Sequence, residues 1–222
     1  MTADLAEDLS STIAALHRRG WCDGTGGNFS CVLQREPLQL LMAPSGVDKG
    51  TVAPEALIVV DGDGQVLRGH GRASAETLLH LEIVRRSGAG AVLHTHSQAA
   101  TLLSRRALAT DRHSPGASGA DGSVVLEQLE MLKGLKGIHS HDTRVRLPVL
   151  ANDQDLRRLS VRAAPLLADA PQGLLIAGHG LYAWGDALFS ARRHLEILEF
   201  LLEQHWRQLL LDGLNRLPNP SH

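Results

Sequence analysis

Residues 88–100 read GAGAVLHTHSQAA, small residues and an apolar run that ends in two histidines one residue apart. Successive side chains of a strand point to opposite faces, so His94 and His96 would share one face at the C-terminal end of a strand over 89–96. Two imidazoles side by side suit chelation of a divalent metal, and they equally suit partly buried strand histidines satisfied by hydrogen bonds. The flanking sequence sets the fold class. SAETLLHLEIVRRS (74–87) has helical spacing behind Ser74 as a cap, and QAATLLSRR (98–106) begins a second helix. Helix, strand and helix in quick succession predict an α/β protein.

Working outward, the runs NFSCVLQ (28–34), LQLLMAP (38–44) and ALIVVD (56–61) read as strands, the last closed by hairpin chemistry in DGDG (61–64). Before them, Leu5, Leu9, Ile13 and Leu16 fall at helical spacing in 4–19, and Gly20 is placed to end that helix. After the central stretch, DRHSPGASGADGS (111–123) is too rich in Gly, Ser, Pro and Asp for regular structure and predicts an exposed loop. The remainder predicts a helix over VLEQLEMLKGL (125–135), a strand over 143–150, a helix over 152–169, strands around GLLIAGHGLYAW (173–184) and a long helix from Asp186 to about Leu211. No internal repeat or linker interrupts this order, so one domain over residues 1–222 is expected.

Composition narrows the partners. The formal net charge is −2 with both signs interspersed, which argues against nucleic acid or an anionic membrane as a partner. Cys22 and Cys31 are too few for a disulfide framework, and no apolar run approaches the roughly 18–20 residues that span a bilayer. The N-terminal MTADLAEDLS has neither a basic nor an apolar targeting segment, so a soluble cytoplasmic protein is expected.

A metal held by His94 and His96 needs a third ligand, and His179 is the best candidate, because it ends an apolar run between Gly178 and Gly180. His139 and His141 form a second His-x-His in a polar stretch and are expected at the surface. His80 lies four residues after Glu76 and shares its helix face, which could make it a further ligand or an acid/base partner. DGTGGNFS (23–30) is neither a Walker loop nor a dinucleotide fingerprint, yet its glycines and hydroxyls could cradle an anion or simply form a flexible loop. APSGV (43–47) and RASAE (72–76) add two more donor-rich turns.

The order GTGGNFS, APSG, SAET, HTH, and HG ahead of a long helix resembles the class II aldolase/adducin family over nearly the whole chain. That resemblance implies a three-layer fold with a central, mostly antiparallel sheet flanked by helices. It implies one Zn2+ per subunit on His94, His96 and His179, and a homotetramer with active sites at subunit interfaces. LEMLKGL (129–135) and HGLYAWG (179–185) look most like the branch that dehydrates the phosphorylated ketose of methionine salvage, in which Glu130 would be the general acid/base. Thr25, Gly26, Gly27, Asn28, Ser45, Gly46, Ser74, Glu76 and Lys133 would then bind the substrate and its phosphate. Aldolases of the family rely on the residue at Glu76 instead, and Ala75 stands where they often carry a second serine. An aldolase or epimerase acting on another sugar phosphate, or a non-catalytic adducin-like scaffold, are the competing expectations.

Overall fold

A computed structural model describes residues 2–110 and 121–216. In chain order the elements are α1 (Thr2–Arg18), β1 (Asn28–Arg35), β2 (Leu38–Met42), β3 (Ile58–Asp61), β4 (Val66–Arg68), α2 (Thr77–Ser87), β5 (Ala91–Thr95) and α3 (Gln98–Thr110). They are followed by β6 (Gly122–Glu127), β7 (Arg144–Leu150), α4 (Leu156–Ala163), β8 (Gly173–Ile176), β9 (Gly180–Gly185) and α5 (Leu188–Asn215). The strands form one sheet in the order β4-β3-β2-β1-β5-β9-β8-β7-β6. Only β7 and β8 run parallel, so the sheet is mostly antiparallel, as expected.

The period-2 alternation of the strands feeds two apolar layers. On β5, Ala91 and Leu93 join the core under α1, α3 and α5, whereas Val92 joins the core under α2 and α4. Leu181 and Ala183 against Tyr182 and Trp184 divide β9 in the same way. The result is helices on both faces of the sheet, the three-layer α/β arrangement. No helix among the described residues is long and apolar enough to cross a membrane.

Three sequence expectations are corrected. The helix expected over 125–135 is instead the end of β6 followed by a 3-10 turn over Glu130–Gly134. Val124 and Leu126 are buried while Glu127 is exposed, and β6 pairs antiparallel with β7, so cross-strand pairing wins over helical spacing. The helix expected over 152–169 is confined to Leu156–Ala163. Asp155 caps it by accepting from the backbone N–H groups of Arg157 and Arg158, and Pro165 falls in the 3-10 turn that ends it. The helix expected from Ser74 starts at Thr77, because residues 74–76 form a turn in which the Ser74 carbonyl accepts from Thr77. Residues 111–120 of the expected loop, with His113, lie outside the described residues, and Gly122 and Ser123 already belong to β6.

β5 sits between β1 and β9 and runs antiparallel to both. Its C-terminal end therefore lies beside the start of β1 and the start of β9. That juxtaposition builds the site.

Candidate metal centre

His94 is opposite Asn28 on β1 and Tyr182 on β9, and is fully buried. Its Nδ1 lies 3.0 Å from the Leu181 carbonyl, which can only accept, so Nδ1 carries the proton and Nε2 presents a lone pair. The Tyr182 ring stacks on the imidazole at 3.9 Å between centroids, fixing its plane. His96 lies one residue beyond the last paired residue of β5, and its backbone N–H donates to the Trp21 carbonyl at 2.7 Å. His179 precedes β9 in a turn whose next residue, Gly180, packs against the Thr95 carbonyl and both histidine rings, leaving no room for a Cβ.

These elements bring three Nε2 atoms together. His94 and His96 are 2.8 Å apart, and His94 and His179 are 3.4 Å apart. Glu76, at the N-terminus of α2, places Oε1 2.9 Å from His179 Nε2 and 3.7 Å from His94 Nε2. One ligand atom from each of Glu76, His94, His96 and His179 lies within 4.8 Å of the other three. The Nε2 lone pair of His94 faces two further imidazole nitrogens in a buried site, an arrangement that a cation between the three would satisfy. A tetrahedral ion with bonds of about 2.0–2.1 Å would need nitrogens roughly 3.3 Å apart, so the donor set fits a zinc-like ion. The residues that sequence spacing nominated as ligands are the ones the fold assembles, with Glu76 added.

Electrostatics agree with this donor set. Burial pushes His94 well below and His96 below the ordinary imidazole range, so both favour the neutral, metal-binding form. Burial alone would raise Glu76, but its hydrogen bond to His179 and the charges of His94, His179 and His80 hold it at about 2. His80 does not join the cluster. It is fully buried, bonded through Nδ1 to the Ser30 hydroxyl at 2.8 Å, and burial brings it down to about 4.

The three donor-rich turns flank one side of the centre. Gly26 abuts the His96 ring, Gly27 adopts φ +80° against the His94 carbonyl, and the Asn28 amide donates to Glu76 Oε2. The Ser45 N–H donates to the Arg72 carbonyl at 2.8 Å, joining the second turn to the third, where Ser74 Oγ accepts from the Glu76 N–H. Gly46, at φ +77°, has open space around it. Lys49 was missed by sequence reasoning. It is 1 % exposed, and its ammonium donates to the carbonyls of Thr25 (3.0 Å) and Val47 (3.1 Å), tying the first turn to the second. A lone lysine in a polar turn carries no pattern that would have revealed this. Glu130 and Lys133 are not brought into the cluster within the chain. They sit exposed on the 3-10 turn, paired with each other, with His141 Nδ1 3.8 Å from Glu130 Oε2. His139 and His141 are exposed, as expected.

Comparison with known proteins gives the same picture. Residues 7–206 match the model of the class II aldolase and adducin N-terminal domain. A methylthioribulose-1-phosphate dehydratase of Methylococcus capsulatus is 43% identical over 192 residues, covering 85% of this chain and 86% of that protein. A protein of the same name from Acidiphilium cryptum is 42% identical over 201 residues, covering 90% and 89%. Among solved structures, an L-fuculose-1-phosphate aldolase from Thermus thermophilus superposes with TM-score 0.73 at 27% identity, over 96% of this chain and 99% of that one. YgbL from Escherichia coli, described as a putative aldolase/epimerase/decarboxylase, gives 0.74 at 26% identity over 99% and 93%. On its sheet topology, its histidine centre and these matches, the chain belongs to the class II aldolase and adducin family.

Proposed function

We propose that this protein is a hydro-lyase that converts 5-methylthioribulose 1-phosphate to 2,3-diketo-5-methylthiopentyl 1-phosphate in methionine salvage. The observation that carries the reading is the convergence of His94, His96 and His179 beside three donor-rich turns, supported by the named relatives at 42–43% identity. His94, His96 and His179 hold one Zn2+ per subunit, which supplies a Lewis acid for the C2 carbonyl and so acidifies the C3 proton. N–H and hydroxyl donors of Thr25, Gly26, Gly27, Asn28, Ser45, Gly46 and Ser74 bind the phosphate, with Lys133 as a charged partner. Glu76 contacts the substrate beside the histidines. Glu130 is the general acid/base. Loss of the C3 proton and protonation of the C4 hydroxyl, which departs as water, leave a C3=C4 enol that tautomerises to the second ketone.

Glu130 is exposed and outside its own chain's cluster, which favours a homotetramer whose sites are completed across subunit interfaces. Each subunit acts as one domain over residues 1–222, in a cytoplasm that suits the free thiols of Cys22 and Cys31.

Incubation with 5-methylthioribulose 1-phosphate should release the diketone without redox cofactor. Mixing Glu130→Gln with His94→Ala subunits should restore activity that neither variant has alone. Formation of an aldehyde and dihydroxyacetone phosphate would sink the dehydratase assignment in favour of an aldolase. Glu76, 2.9 Å from His179, is the observation that favours that second reading. Purified protein without stoichiometric divalent metal would instead point to an adducin-like scaffold.

A further inference from the structure

α5 buries Leu195, Leu198 and Leu202 at helical spacing, and Glu199 falls on the same face, 2 % exposed. Packing alone would be served by another leucine there. The carboxyl has specific partners: Thr95 Oγ1 donates to Glu199 Oε1 at 2.5 Å, and the Ser97 hydroxyl bonds to the same carboxyl. Its Oε2 has no partner among the described residues. Burying a carboxyl in a leucine face costs stability, and two hydroxyl donors only partly offset that cost.

Thr95 and Ser97 alternate with His94 and His96. The histidines point to the face that carries α2 and Glu76, and the two hydroxyls point to the face covered by α5. Thr95 is the last residue of β5 to pair with β9, opposite Leu181, so His96 lies beyond the support of that ladder. Ser97 Oγ also accepts from the Ala100 N–H at 3.1 Å, at the start of α3. The strand end that carries His96 is thus fastened at its backbone to Trp21 and at its back to Glu199.

We infer that Glu199 is a positioning residue for the metal centre, holding Thr95 and Ser97 from the far side of the sheet so that His94 and His96 keep their common aim. The inference rests on the metal reading above and is independent of which sugar phosphate is turned over. Without the carboxyl, the last residues of β5 gain freedom, and the ordering cost falls on metal binding.

The test uses metal-free protein titrated with Zn2+ alone against a competing chelator, and with Co2+ alone to record its visible spectrum. Thr95→Val and Glu199→Leu, which remove the hydrogen bond from either side, should weaken Zn2+ by about 10- to 100-fold and alter the Co2+ spectrum. Glu199→Gln keeps an oxygen for both hydroxyls and should stay within about threefold of the unmodified protein. The Co2+ spectrum reports ligand geometry, which a purely stabilising role would leave unchanged. Wild-type affinity and spectrum in Thr95→Val overturn the inference, even if Glu199→Leu does not fold. An unmodified protein that binds neither ion overturns the metal reading itself.

Discussion

Single atoms decide whether the centre can form. A Cβ on Gly26 would sit 2.8 Å from His96 Nδ1 and a tight 3.2 Å from the Asp23 carbonyl, while the Gly26 φ does not itself forbid alanine. Gly26→Ala should therefore fold and lose about tenfold or more in zinc affinity, read by chelator competition. At Gly180 the obstacle is the Thr95 carbonyl, a backbone atom that cannot swing aside. Gly180→Ala should disturb the pairing of β5 with β9 and lower the melting temperature as well as the metal content. The ligands were legible in the sequence, because an apolar run ending in histidine is visible without a structure. Glu199 was legible in principle, as a carboxylate at the spacing of Leu195, Leu198 and Leu202, and it was overlooked within a helix taken as a whole. Lys49 was not legible, because its partners are backbone carbonyls that no sequence pattern records.

At the scale of elements, failures of prediction follow competition between periods. Residues 125–135 contain enough leucine at helical spacing to predict a helix, yet Val124 and Leu126 alternate with more exposed neighbours and pair with β7. Only the partner strand distinguishes the two, and it lies further along the chain, at Arg144–Leu150. Helix α4 shows local chemistry deciding an end: Asp155 accepts two backbone N–H groups that otherwise have no intrahelical partner. Asp155→Ala should cost about 1 kcal/mol, measured by urea unfolding, while leaving metal affinity unchanged, since α4 supplies no residue of the centre.

For the molecule as a whole, stability should couple to both metal and protons. Zinc bound only by the folded chain, at about 100 times its dissociation constant, should add roughly 2.7 kcal/mol, which for a chain of this size raises the melting temperature by roughly 5–10 °C. Calorimetry with and without chelator checks this. Burial raises Glu199 to about 7 from 4.5, against the opposing hydrogen bonds of Ser97 and Thr95 and with help from Glu203. The folded state thus holds this proton more tightly than the unfolded chain does. Its contribution is full below pH 4.5 and is lost as pH rises toward 7, about 3 kcal/mol in total. Glu199→Gln removes that dependence, so in metal-free protein its stability relative to the unmodified chain should rise between about pH 4.5 and pH 7. The α/β class was legible from alternating strands and helices and the three-layer arrangement from the family resemblance, whereas the strand order was not, since β5 finds its neighbours far away in sequence.

That placement of β5 has a consequence in time. His94 meets Leu181 across 87 residues, and Asn28 reaches Glu76 across 48, so the centre draws on loops that close late and slowly. Local hairpins such as β1 with β2 and β6 with β7 can form early without any part of it. During refolding, capture of a metal ion should therefore lag behind the appearance of secondary structure and follow the last kinetic phase. The ion would act as a clock for the closing of the sheet.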